Sequence, residues 1–105
     1  MTLNEIREDL RDIRYYYSRK DYLEGGSKEI SLNNKILEKI SKYNTAMENA
    51  PPKLLDVYLN LYINNLTQDA LAATLNYSPQ YINLLNNNLL MYLCGALNNA
   101  NSSDW

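Results

Sequence analysis

The sequence predicts an all-α fold of about five helices, an N-terminal helical hairpin followed by a C-terminal helix-turn-helix. Three observations predict it. Apolar residues recur at spacings of three and four through residues 3–17 and 36–47, the mark of one buried helix face. Breakers stand where those stripes stop, at Gly25-Gly26 and Pro51-Pro52. Capping residues then bracket two helical segments between Thr67 and Leu89, and no stretch alternates as a strand would. The 105 residues form one domain, enough chain to bury roughly two-thirds of its unfolded surface. Residues 1–50 are the hairpin, 51–97 the helix-turn-helix part, and 98–105 a flexible polar tail whose Trp105 can dock on a partner.

In the first helix, Leu3, Ile6, Leu10, Ile13 and Tyr17 make the apolar stripe, which reaches to about Tyr22. Gly25-Gly26 ends it, and residues to about Leu32 are loop. Ile36, Ile40, Tyr43 and Met47 repeat the pattern in a second helix. Two such helices joined by a loop predict an antiparallel hairpin, or a seam that pairs two copies across a two-fold axis. Pro51-Pro52 stops the second helix, with Pro52 suited to the first position of the next. The third helix, about Pro52 to Asn64, is apolar nearly all round, with only Asp56, Asn60 and Asn64 polar, and should be the centre of the core.

Thr67 caps a fourth helix, Gln68 to Leu75, with Asp69 in its first turn to meet the helix dipole and Leu66 and Leu71 as a hydrophobic staple. Asn76 suits the left-handed conformation that ends a helix. Two residues later Ser78 caps again, Pro79 occupies the first position, and Tyr77 with Ile82 forms a second staple. Ile82, Leu85 and Leu89 point inward, and Ala72 is small where the two helices approach. A short helix, a three-residue turn and a second helix is the arrangement that lays a recognition helix in the major groove.

Charge runs the other way. Ten Lys and Arg stand against twelve Asp and Glu, and residues 54–105 contain no Lys or Arg. Affinity for a phosphate backbone comes from such cations. The outward positions of the last helix are amides instead: Gln80, Asn83, Asn86, Asn87 and Asn88. Amides can read adenine edges but position poorly alone. Phosphate contacts must then come from Arg7, Arg11 and Arg14, which share one face of the first helix and are followed by Arg19, Lys20 and Lys28. The alternative for that stripe is a solvated face moderated by Glu8, Asp12 and neighbouring acids.

Ten tyrosines and no phenylalanine give rings with a polar end. Tyr15-Tyr16-Tyr17 must place one or two off the core stripe, Tyr43, Tyr58, Tyr62 and Tyr92 suit the core with hydroxyls reaching water, and Tyr81 faces a partner. Without histidine there is no Ser-His or Cys-His machinery and no imidazole metal site. The single Cys94 forms no disulfide and suits a reducing compartment. No phosphate-cradling glycine loop, membrane span or signal peptide is evident, so the expectation is a cytoplasmic, non-enzymatic protein without cofactor or metal.

The residues from Tyr62 to Gln68, then Leu71-Ala72, Leu75 to Ser78, Tyr81-Ile82 and Leu85, resemble the helix-turn-helix of sigma-factor region four. More particularly they resemble the small regulators of phages and prophages of low-GC Gram-positive bacteria, the ArpU and RinA type. The resemblance covers residues 52–93 well and the N-terminal half loosely. It implies regulation of late phage transcription, with Gln68, Ser78, Gln80, Tyr81, Asn83 and Asn87 facing DNA. Where such relatives would carry Arg or Lys, this chain has Asn83, Leu84, Asn87 and Asn88.

Two functions follow. One is a regulator that reads DNA with these amides and holds phosphates with Arg7, Arg11 and Arg14, helped by pairing of two copies. The other is a protein-interaction module that keeps the motif as scaffold and binds RNA polymerase, another regulator or a host defence factor through its amide and tyrosine face.

Overall fold

Charge sorting on the first helix sets the arrangement of the N-terminal half. The computed structural model describes residues 1–19 and 30–102. Among them are five α-helices and no strand: α1 (Leu3–Ser18), α2 (Ile30–Ala46), α3 (Pro52–Tyr58), α4 (Gln68–Leu75) and α5 (Pro79–Ser102), with a π-helical turn (Leu59–Ile63) continuing α3. A capping box starts α1. Thr2 Oγ1 accepts from the Glu5 N–H, and Glu5 Oε1 accepts from the Thr2 N–H at 2.8 Å. These bonds hold the Glu5 carboxyl below its ordinary pKa.

The flanks of α1 carry opposite charges. On one, Lys39 Nζ bridges Asp9 at 3.1 Å and Asp12 at 2.9 Å, and Tyr43 donates to Asp9 at 2.7 Å. Nearer the start of α1, Lys42 Nζ donates to the Met1 sulfur. Contacts thus climb α1 while descending α2, so the pair is an antiparallel hairpin. On the other flank α1 runs antiparallel to α5, with the Met1 ammonium and carbonyl both bound by Asn98 and with Arg11 and Arg14 beside Asn86. The buried stripes of α1 and α2, including Ile6, Leu10, Ile13, Ile40, Tyr43 and Met47, are consumed inside this chain. Among the described residues these stripe positions are covered within the chain.

Several expectations shift at the residue level. Tyr16, not Tyr17, closes the buried stripe of α1, and Tyr15 is the ring that points away, 59% exposed. The helix ends at Ser18 and α2 begins at Ile30, two residues before the expected loop end. Tyr22 and Gly25-Gly26 lie outside the described residues. The third helix does not stay α-helical. From Leu59 it widens into a π turn, closed by the Asn64 N–H to the Leu59 carbonyl at 2.8 Å. Leu54, Val57, Tyr58 and Leu61 still enter the core. The polar end begins later than expected, because α5 continues helical through Ser102; Trp105 lies outside the described residues.

The expected caps of α4 and α5 are all present. Thr67 Oγ1 accepts from Ala70, and Ser78 Oγ accepts from Tyr81. Asn76 is left-handed at φ 59, and the Tyr77 N–H returns to the Ala72 carbonyl at 2.9 Å. That is the wrap-around that satisfies the last carbonyls of a helix. Leu71, Ala72, Ile82, Leu85 and Leu89 are buried between the two helices and the remaining core.

Three tyrosines contribute a shared pH dependence. Burial raises the pKa of Tyr43, Tyr58 and Tyr62, with the Asp9 carboxylate adding to the effect on Tyr43. Bonds to Asp12 and Asp9 raise Lys39 as well. A raised folded-state pKa means the unfolded chain gives up its proton first, so stability is full below pH 10 and is lost above it. The tyrosinate absorbance contributed by these three rings should rise in one cooperative step coincident with loss of helical dichroism. Gradual titration of these rings with helicity intact would contradict the packing described.

Candidate functional site

The arginine stripe and the amide helix meet. Arg7, Arg11 and Arg14 line a cleft of about 230 Å³ together with Tyr62, Asn86 and Leu90. Spacing of four and three puts the guanidinium-bearing side chains on one flank of α1, opposite Asp9 and Asp12 across the core stripe. Lys39 takes both aspartates, so Asp12 is paired with α2 and not with the stripe. Among the described residues no carboxylate pairs with Arg7, Arg11 or Arg14. Arg14 reaches the Leu66 carbonyl at 3.5 Å, at the entry to α4.

Tyr62 and Asn86 close the floor. The Tyr62 hydroxyl donates to Asn86 Oδ1, so Asn86 is half-buried and not the outward amide expected. Burial raises Tyr62, while its bond to Asn86 and the charges of Arg14 and Arg7, which line the same cleft, pull it back. Tyr62 lies within the π turn, Leu59–Ile63.

Of the other residues expected to face DNA, Gln80, Asn83 and Asn87 are exposed on α5. At about 3.6 residues per turn, Asn83 and Asn87 lie on the solvent side of Asn86, the α5 residue that with Leu90 lines the arginine cleft. Gln68 is half-buried at the first position of α4. Ser78 is engaged as the cap of α5. Tyr81 is half-buried, packed edge-on against Tyr77 with centroids 4.8 Å apart.

Sequence reasoning missed Lys53. It is the last cation of the chain, at the start of α3, yet its ammonium donates to the Tyr81 hydroxyl at 3.1 Å and lies 5.7 Å from that ring. The bond raises its pKa, so the charge is secure at neutral pH. No local pattern links residues 53 and 81; packing of α3 against α5 does. The amide face of α5 thus has arginines on one side and a lysine on the other.

A second cleft, about 280 Å³, is lined by Asn44, Met47, Glu48, Leu55, Tyr58, Leu59 and Ile63. Its one charge is a carboxylate, and the Tyr58 hydroxyl there is already bonded to Asn44, so it lacks the convergent polar groups of the first. No cluster among the described residues has metal-binding composition, and no described helix is long and apolar enough to cross a membrane.

Tyr62→Phe removes the one partner that the half-buried Asn86 oxygen has among the described residues and should lower stability by about 1 kcal/mol in urea unfolding, with an unchanged denaturant slope. An unchanged midpoint would mean the bond does not organise the cleft.

No family model matches the chain, and neither a curated protein nor a solved structure resembles it.

Proposed function

We propose that this chain is a small, non-enzymatic helix-turn-helix transcription regulator of the phage type, binding DNA with α5 as its reading helix. The observation that carries this reading is the flanking of the exposed amides Gln80, Asn83 and Asn87 by cations on both sides. A helix seated in the major groove lies between two phosphate strands, so it needs amides or similar donors at its tip and cations to either side. Here the cations come from α1 and α3, which answers the absence of Lys and Arg after position 53. Ser78 and Tyr81 serve by fixing the start of α5 and holding Lys53, while Gln68 sits at the start of α4.

One observation favours a second reading. Leu84 and Met91 are 52% and 62% exposed on α5, with Leu75 and Tyr77 exposed near its start. Apolar side chains there contribute little to a phosphate-lined groove and suit a protein partner, such as RNA polymerase or another regulator.

Fluorescence anisotropy with a duplex from low to near-physiological salt separates the two. The regulator reading expects binding that falls steeply with salt, and a slope in log–log form shallower by roughly one for each of Arg7→Ala and Arg11→Ala. Asn83→Ala should relax sequence preference while leaving that slope alone. Absence of retention at the lowest salt would sink this reading in favour of the protein one, in which Tyr81→Ala and Leu84→Glu weaken a protein complex.

A further inference from the structure

We infer that the cleft of Arg7, Arg11, Arg14, Tyr62 and Asn86 is a discrete binding site for a phosphate group. Charge on this face is unbalanced. Three guanidiniums face one concavity and, among the described residues, none has an ion-pair partner. Like charges at spacing four and three repel, and a helix would ordinarily relieve this with an acid on the same flank. This chain does the reverse, holding Asp9 and Asp12 on the far flank through Lys39.

The remaining wall matches the charge. Asn86 uses its oxygen to accept from Tyr62, which leaves its amide N–H groups without a partner among the described residues. Guanidiniums and an amide donor surround the space, and no carboxylate enters it. The charged groups of the site only donate, which favours a ligand rich in acceptors, and a tetrahedral phosphate offers several oxygens to planar guanidinium forks. From Arg7 to Arg14 the stripe extends only about 10 Å along α1 at 1.5 Å per residue, the scale of one or two phosphate groups. The cleft also differs from a flat basic patch because Tyr62 and Leu90 give it a floor, so partial exclusion of water strengthens each charged bond.

The chemistry leaves two sources, a phosphodiester of the DNA backbone or a free phosphorylated molecule. The site stands whether or not α5 reads DNA. Calorimetric titration of the full chain with sodium phosphate, and separately with pyrophosphate, at ionic strength fixed with sodium chloride, reads it directly. Saturable binding above the chloride baseline is expected. Arg7→Ala combined with Arg11→Ala, both solvent-exposed side chains, should weaken it by roughly tenfold or more, whereas Lys35→Ala on exposed α2 surface should not. In the unaltered protein, the Nε–Hε resonances of the three arginines should shift together on adding phosphate. Binding no stronger than chloride, or equal weakening by Lys35→Ala, would overturn the site as diffuse electrostatics. A duplex that displaces phosphate identifies the backbone as the source. Phosphate binding that survives without any DNA binding identifies a free phosphorylated ligand and removes only the DNA reading.

Discussion

The ion pairs from Lys39 to Asp9 and Asp12 determine what the rest of the surface can do. Exposed pairs of this kind contribute little stability, at most about 1 kcal/mol each, and Asp12 remains more than half exposed. Their consequence lies in placement. With the Tyr43 hydroxyl also bound to Asp9, the two aspartates of α1 are committed to α2. The arginines one flank away are then left to face α5 without a carboxylate. A helix whose charges nearly balance in sequence becomes, once folded, acidic toward one neighbour and basic toward the other.

The C-terminal half receives that asymmetry. Its own residues provide geometry and hydrogen-bonding groups: two capped helices, a left-handed Asn76 between them, and a face of amides. Cations reach it through tertiary packing, from α1 through the arginine cleft and from α3 through Lys53. Tyrosine is the residue that makes both connections. Tyr62 ties the π turn to Asn86 beneath the arginines, and Tyr81 accepts the lysine on the opposite side. Phenylalanine could pack equally well in either place but could make neither bond, so the tyrosine-only aromatic composition has a structural use at these two positions.

What could be read directly from the sequence was whatever depends on neighbours within about one helical turn. The stripe of α1, the proline start of α3, the caps Thr67 and Ser78 and the left-handed Asn76 are local events with local causes, and they stand where expected. The choice of Tyr16 over Tyr17 was not legible, because both are tyrosine and only the position of the neighbouring elements decides which is covered. Nor was the π turn, since Leu59 to Ile63 has ordinary helical composition and widens under tertiary packing. Asn86 illustrates the limit most plainly. In a run of three asparagines nothing local marks the one that meets Tyr62, 24 positions earlier. Lys53 was counted as the end of the basic half, when the fold makes it part of the amide surface.

Paired double-mutant cycles in urea measure where the charges of α1 find partners. One cycle takes Asp9→Asn with Lys39→Met, the other Glu8→Gln with Arg11→Met. Coupling of a few tenths to about 1 kcal/mol is expected for the first and none for the second. Coupling between Glu8 and Arg11 with none between Asp9 and Lys39 would mean that the arginine stripe is neutralised on its own helix, and the cleft would lose the unbalanced charge on which its function depends.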